Sequence, residues 1–220
     1  MPREIVKHAA STAAIMMAFA IVGTAMLAYV FDVTKTPIAE SEAKARMALF
    51  RQIVPDALHD NGLLEDVIEI PADPLLGNRT VSHAYRASLQ GKRTAVILEA
   101  IAPDGYSGDI KLLVAIKADG SLGGVRVLAH KETPGLGDYI EITHSQWIKQ
   151  FDGKSLTDAA QWRVKKDGGQ FDYMAGATIT PRAVVKAVRQ VLEYHAMHRK
   201  SLFADVVTTK EADSAAGAAS

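Results

Sequence analysis

The sequence lacks cysteine and lacks an excess of charge of either sign. Its 25 lysine and arginine residues balance 25 aspartate and glutamate residues. Without cysteine, this chain cannot supply disulfides, zinc–thiolate sites, iron–sulfur ligands or a thiol nucleophile. Without a basic excess, a nucleic-acid partner is not expected, because the phosphate backbone requires a surface rich in lysine and arginine. What remains is 48% apolar and 23% charged residues, which is typical of a globular protein.

One long hydrophobic run lies near the N-terminus. Residues 9–31 form a stretch of 23 residues without a charge. At about 1.5 Å per residue, a helix of this length reaches roughly 34 Å and exceeds the hydrocarbon thickness of about 30 Å. A buried core helix seldom stays uncharged on every face over such a length. The run therefore predicts a single transmembrane helix.

A cleaved signal peptide is the alternative for this run, since residues 18–20 (Ala-Phe-Ala) satisfy the small-x-small cleavage pattern. The triplet lies in the middle of the run, however, and the apolar cores of signal peptides are shorter, about 7–15 residues. We therefore expect a retained anchor. The leading octet carries Arg3 and Lys7 against Glu4. Basic residues favour the cytoplasmic side, which predicts a cytoplasmic N-terminal tail.

The rest of the sequence predicts both helices and strands. Residues 38–54 have a pattern typical of a helix that rises from the membrane and ends at Pro55. Residues 138–151 also predict a helix, and residues 181–199 have the clearest helical spacing of apolar side chains. Strands are predicted at 81–89, 94–101, 110–117 and 125–130, joined in pairs by turns at Gln90-Gly91-Lys92 and Asp119-Gly120. The fold class is α+β.

Two glycine-containing loops resemble known motifs only in part. Residues 105–108 resemble a nucleophile elbow, but Asp109 stands where that motif requires glycine. Residues 132–138 contain two glycines around a leucine, but Ile140 stands where the dinucleotide-binding fingerprint requires glycine. Two glycines still allow a flat ligand to approach the backbone closely. Either loop is also compatible with an ordinary connection.

A third loop, residues 172–181, leads into the predicted helix 181–199. Thr180 is a good N-cap and Pro181 a good first helical residue. A helix N-terminus presents unpaired N–H groups and suits a phosphate. A phosphate on Thr178 would meet those groups and Arg182. A capped helix after a plain turn is the alternative.

The histidines give two further expectations. His130 and Glu132 share one face if the chain is extended, as two metal ligands would, but no third ligand follows. An ordinary polar strand is the favoured interpretation. His195 and His198 are expected near a helix C-terminus, where the helix dipole favours a cation.

Five sequence runs together are more specific than any single loop. They are GYSGDIKLLVAI (105–116), GGVRVLAH (123–130), HKETPGLGDYIE (130–141), SQWIKQFDGKSL (145–156) and KKDGGQFDYMAGATITPRAVVKAV (165–188). These runs resemble the G subunits of the Rnf (also called Rsx) electron-transport complexes. The family shares its FMN-binding domain with the C subunit of the sodium-pumping NADH:quinone reductase.

The resemblance implies a covalently bound FMN. Members of the family attach the flavin phosphate to the last threonine of an S/T-G-A-T motif, which corresponds to Thr178. Asp172 matches the aspartate recognised by a flavin transferase that takes FMN from FAD. Ala175 departs from the pattern, because the family usually has serine or threonine there. Further contacts with FMN are expected from the three loops, at Tyr106, Ser107, Gly108, Glu132, Thr133, Gly135, Leu136, Gly137, Gly176, Ala177 and Thr180.

The resemblance also implies a role in electron transfer. The chain is expected to carry electrons within a complex that links ferredoxin and NAD to ion movement, and neither a catalytic residue nor a metal site is assigned. Expected partners are the other subunits, the flavin transferase and the lipid bilayer of a bacterial inner membrane, with the main domain in the periplasm. Two alternatives are a C-type quinone-reductase subunit and a non-redox, membrane-tethered assembly module.

The expected domain organisation has five parts. They are a cytoplasmic tail (1–8), a transmembrane helix (9–31), a membrane-proximal helix with a connecting region (32–80), one mixed α/β FMN-binding domain (81–207) and a mobile tail (208–220).

Overall fold

The computed structural model describes residues 2–156 and 161–204. The chain divides into two compact units, residues 1–48 and 49–220. Helices and an antiparallel sheet occupy separate parts of the sequence, so the predicted α+β class is confirmed. The tail predicted for residues 208–220 lies outside the described residues.

The first helix, α1, spans Pro2–Ile53 and passes through Pro37. The helical segment predicted at 9–31 lies within it, and so does the one predicted at 38–54 as far as Ile53. It contains a stretch long and apolar enough to cross a membrane, and none of that stretch is buried within the protein. An uncovered apolar helix of this length requires an apolar environment from elsewhere, which is what a bilayer supplies.

Five strands form an antiparallel sheet in chain order: β1 (Val67–Ile70), β2 (Ser82–Leu89), β3 (Lys92–Gly105), β4 (Gly108–Lys117) and β5 (Leu122–Ala129). Four of them confirm the predicted strands, whereas β1 was not predicted. Between β2 and β3, Gln90 and Gly91 both have positive φ, 53° and 74°. Such a two-residue turn matches the twist of the strands that it joins.

The second long helix, α2 (Ile179–Leu202), packs against β3 and β4 on one face of the sheet. Its apolar side chains belong to the main core, together with the inward side chains of the strands and the aromatic residues of the 147–171 region. The last turn of α1 also contacts the sheet: the ring centroids of Phe50 and of Tyr85 on β2 lie 4.8 Å apart. A β-carbon on Gly124 would lie 2.8 Å from Ile53 Cγ2, so glycine is needed beside that turn.

The helix predicted for residues 138–151 is wrong. The segment instead forms two short 3₁₀ helices, Asp138–Ile140 and Trp147–Phe151, separated by turns. The Ser145 hydroxyl donates to the Tyr139 carbonyl oxygen (2.9 Å) and accepts from the Trp147 amide (3.0 Å). These local side-chain bonds occupy backbone groups that a continuous α-helix would use, and so they compete with it.

The expectation of a cation at the C-terminal end of α2 is wrong for His195. Its side chain is 4% exposed, and Nε2 has no hydrogen-bond partner among the described residues. Burial, with a smaller contribution from Arg199, lowers the pKa of His195 below its usual value. The neutral imidazole is therefore the favoured form.

Candidate functional site

The three glycine loops meet at one cavity of about 290 Å³. The first loop is the hairpin between β3 and β4, the second follows β5, and the third leads into α2. The cavity is lined by Tyr106, Glu132, Thr133, Leu136, Gly137, Gly176, Ala177, Thr178, Ile179 and Thr180. Nine of these ten residues were expected from the sequence to contact a ligand, and the structure brings them together.

Glu132 lines the cavity and connects all three loops. Its side chain is 4% exposed. Oε1 accepts a hydrogen bond from the Ser107 amide (2.9 Å), and Oε2 accepts one from the Thr180 hydroxyl. Because charge-assisted hydrogen bonds are stronger than neutral ones, a single buried carboxylate can hold the hairpin, its own loop and the start of α2 in register.

Gly137 allows the second loop to lie close to this contact. A β-carbon at that position would lie 2.8 Å from Glu132 Oε2, 2.9 Å from Glu132 Cβ and 3.0 Å from Thr180 Oγ1. Such contacts require the neighbours to move, and the neighbours here are already bonded to each other. Glycine is therefore required by close packing, not by an unusual φ.

The third loop turns sharply just before Thr178. The Ala177 amide donates to the Met174 carbonyl oxygen (3.1 Å), and Gly176 has a φ of 87°. A positive φ in the third position of such a turn favours glycine, which explains Gly176. The turn delivers Thr178, half-buried, to the wall of the cavity.

The prediction that Thr180 is the N-cap of α2 is wrong. The helix begins at Ile179 with Thr178 in the N-cap position, and no side chain caps it. Thr180 is instead the second helical residue, 1% exposed, with its hydroxyl committed to Glu132. Pro181 is tolerated as the third helical residue because its amide would have no partner within the helix. The residue next to Thr178 that lines the cavity is Ile179, which the sequence pattern did not single out.

Arg182, expected to meet a phosphate on Thr178, is paired with Asp167 and does not line the cavity. Its guanidinium makes two hydrogen bonds to the Asp167 carboxylate, at 2.6 and 2.5 Å, and it lines other cavities than the one beside Thr178. One of those is a larger cavity of about 530 Å³ along α2. There too, the charged side chains pair with each other, as Arg189 does with Glu193 (2.8 Å).

Four expected site residues do not line the cavity: Ser107, Gly108, Gly135 and Asp172. Ser107 contributes its backbone amide, through Glu132. Gly108 and Gly135 have φ values of 107° and 76°, which suit glycine at turns. The exposed carboxylate of Asp172 forms an ion pair with Lys165.

His130 has a structural position beside the cavity. Its Nδ1 accepts a hydrogen bond from the Glu132 amide (2.9 Å), and its Nε2 lies 2.9 Å from Glu141 Oε1. Within residues 2–156 and 161–204, no group of three His, Cys, Asp or Glu residues is placed to hold a metal ion. His130 instead fixes the backbone at the point where Glu132 turns inward.

Comparison with known proteins decides the family. A family model described as the FMN-binding domain matches residues 105–193, and one described as the RnfG N-terminal region matches residues 1–53. A curated protein from Pseudomonas aeruginosa, the G subunit of an ion-translocating oxidoreductase complex, is 51% identical over 188 residues, or 84% of this chain and 88% of that protein. Proteins of the same name from Vibrio cholerae and Aliivibrio fischeri are 45% and 43% identical over 190 residues, each covering 86% of this chain and 90% of the relative.

The chain belongs to the G-subunit family of ion-translocating oxidoreductase complexes. It is therefore a membrane-anchored subunit of an oxidoreductase complex, with α1 as its anchor and an FMN-binding domain. The names of the relatives favour this family over the C-type quinone-reductase alternative. The match to the FMN-binding domain includes every residue that lines the cavity.

The residues at the cavity fit FMN. The start of α2 provides amide N–H groups without partners inside the helix, which suit the phosphate. Tyr106, Leu136 and Ile179 are large, exposed side chains at the cavity wall, and they suit an aromatic ring system. The three-loop arrangement therefore offers one polar and one apolar region within a single cavity.

Proposed function

We propose that this chain carries FMN covalently, through a phosphoester bond to Thr178, and passes electrons within a complex that couples ferredoxin and NAD chemistry to ion movement. The observation that carries the proposal is the position of Thr178. Its side chain lies in the wall of the three-loop cavity, immediately before the first turn of α2. Bound FMN supplies the redox chemistry, since it accepts and releases one or two electrons.

Each part of the site has a role toward FMN. The amide groups of Ile179 and Thr180 bind the phosphate, whereas Pro181 has no amide proton to offer. Tyr106, Leu136 and Ile179 would pack against the flavin ring and exclude water from it. Glu132 keeps the three loops together through its hydrogen bonds to Ser107 and Thr180, and as a polar group of the same cavity it would influence the electronic properties of the flavin.

Attachment requires a transferase that uses FAD. The Thr178 oxygen attacks the phosphorus of the FMN half and loses its proton, the pyrophosphate bond breaks, and AMP leaves. No change of oxidation state occurs. We assign Asp172 as the residue that the transferase recognises, which is consistent with its exposed position six residues before Thr178.

We further propose a bacterial inner-membrane location with residues 1–8 in the cytoplasm and the FMN-binding domain in the periplasm. The support is the excess of basic residues in the short N-terminal tail. Covalent attachment suits this location, because a flavin lost outside the cytoplasm could not readily be replaced.

In-gel flavin fluorescence after denaturation tests the proposal. The full chain is expressed with a flavin transferase and exported, beside Thr178→Ala and Thr178→Ser. We expect a fluorescent band for the wild type and for Thr178→Ser, which keeps a hydroxyl, and none for Thr178→Ala. A wild-type chain without flavin, or a Thr178→Ala chain that retains it, would overturn the proposal.

A further inference from the structure

The attachment loop is bound to the domain by side chains that contact its backbone. The Asp172 amide donates to Gln150 Oε1 (2.9 Å), and the Asp172 carbonyl oxygen accepts from Trp147 Nε1 (2.7 Å). Two residues later, the Met174 amide donates to the Tyr139 hydroxyl (3.4 Å). We call Tyr139, Trp147 and Gln150 the backbone clamp.

The pattern of these bonds is that of an extended strand. In extended chain, the N–H and C=O of one residue point to the same side, and those of its neighbours point to the other. Phe171 fits this rule, since its amide and carbonyl bond instead to the Arg163 carbonyl (3.2 Å) and the Lys165 amide (2.7 Å). The clamp therefore occupies the edge where a neighbouring strand would otherwise pair.

The clamp is itself held firmly. Tyr139 and Trp147 are both buried, and their rings meet edge to face with centroids 5.5 Å apart. Trp147 makes a second edge-to-face contact with Phe151, at 5.6 Å. Buried rings in such contacts have few alternative rotamers, so the polar atoms at their edges are fixed in position.

The side chains of residues 172–174 remain accessible to solvent. The side chain of Asp172 is exposed, and Tyr173 and Met174 remain 39% and 38% exposed. Because hydrogen bonds fix the backbone at Asp172 and Met174, the side chains of residues 172–174 have defined positions on the surface, a few residues before Thr178.

We propose that the clamp presents residues 172–174 to the flavin transferase as an ordered, extended segment ahead of the turn that leads to Thr178, with Asp172, Tyr173 and Met174 as the surface that the enzyme contacts. The inference rests on the proposed attachment of FMN to Thr178. Tyr139, Trp147 and Gln150 act as positioning residues, because their polar atoms bond to the backbone of the loop and none of the three lines the cavity beside Thr178. When the segment is ordered in advance, the transferase does not have to order it on binding. The apparent Kd equals the intrinsic Kd divided by the fraction of chains in which the segment is ordered, so a larger ordered fraction gives tighter binding.

Steady-state flavin transfer to the full chain in detergent, with purified transferase and FAD, tests the proposal. Trp147→Phe removes the N–H donor together with part of the buried ring, and Gln150→Ala removes the acceptor. Each should raise the KM for the chain roughly fivefold, the equivalent of one hydrogen bond, with kcat unchanged. Gln150→Glu keeps an acceptor oxygen and should restore the KM. Trp162→Phe is the matched control for the smaller ring, since that indole donates to the Ser155 carbonyl oxygen (3.3 Å) and not to the backbone of residues 172–174.

Hydrogen exchange of the flavin-free chain gives a second readout. The peptide that contains residues 172–174 should exchange faster in Trp147→Phe and Gln150→Ala, and should be unchanged in Trp162→Phe. If Trp147→Phe and Gln150→Ala both leave the KM and the exchange rate of this peptide unchanged, the proposed clamp is wrong. It is also wrong if Trp147→Phe and Trp162→Phe change the KM and the exchange rate equally. A wild-type chain that never gains flavin at Thr178 would overturn the proposed function as well, whereas normal KM values in flavinylated clamp variants would overturn the clamp alone.

Discussion

Removal of the Thr180 hydroxyl tests the hydrogen bond between Thr180 and Glu132, which joins the start of α2 to the second loop of the cavity. Thr180 and Glu132 are 1% and 4% exposed, so solvent cannot replace a lost bond between them. Thr180→Val keeps the shape of the side chain but leaves Oε2 of a buried carboxylate without its donor. Hydrogen bonds to charged groups contribute about 1.5–3 kcal/mol, and we expect the free energy of unfolding to fall by that amount.

Glu132→Gln should lower the free energy of unfolding by less than Thr180→Val does, by about 1 kcal/mol. The amide can still accept from the Ser107 N–H, and the Thr180 hydroxyl can accept from the new NH₂ group, so both hydrogen bonds persist without the charge. If the Thr180 and Glu132 side chains stabilise the fold through their contact with each other, their effects should not add. The free energy of unfolding of the Thr180→Val, Glu132→Gln double variant should then be about 1–2 kcal/mol higher than the sum of the two single losses predicts.

Urea unfolding of the flavin-free full chain in detergent measures these values. Tryptophan fluorescence reports on the FMN-binding domain alone, because Trp147 and Trp162 are the only tryptophans and both are buried in its core. Thr133→Val is a matched control on an exposed threonine of the same cavity and should change stability by less than about 0.5 kcal/mol. Single effects that add within about 0.5 kcal/mol would refute the proposed coupling.

Three further outcomes are expected from the same unfolding assay. Gly137→Ala should cost about 1–3 kcal/mol, since its β-carbon would lie 2.8 Å from Glu132 Oε2. His195, whose folded-state pKa burial depresses, contributes stability that is present above about pH 6.5 and is lost as the pH falls; His195→Leu should remove this part of the acid sensitivity. Burial alone would raise the pKa of Asp66, but the hydrogen bonds from Arg93 and Arg86 outweigh it and lower the pKa. Its contribution is therefore retained above about pH 3.9 and lost at lower pH, a loss that Asp66→Asn should abolish.

Local sequence patterns predicted the parts of the fold that local physics determines. The hairpin at Gln90 and Gly91 and the strands on either side were predicted, because alternation and turn chemistry act over a few residues. Strand β1 was missed, since four residues are too few for a clear alternation. The helix predicted for 138–151 failed because the Ser145 hydroxyl bonds to nearby backbone groups, which periodicity does not register.

The candidate site could be predicted as a set of loops but not as a geometry. The residues that line the cavity were nearly all identified, yet Thr180 is not the cap that the sequence predicted, and Arg182 is paired with Asp167. Local patterns do not reveal these partners, because Glu132 and Asp167 lie 48 and 15 residues away in the sequence. Ile179 was overlooked because the helix was expected to begin after it.

Peptide mass mapping of the exported, flavinylated chain tests the central claim most directly. We expect that the peptide containing Thr178 gains the mass of FMN less one water, that fragmentation places the addition on Thr178, and that Thr178→Ala eliminates it. An unmodified Thr178 peptide from a chain that carries flavin, or an addition located on Thr180, would contradict the proposed attachment.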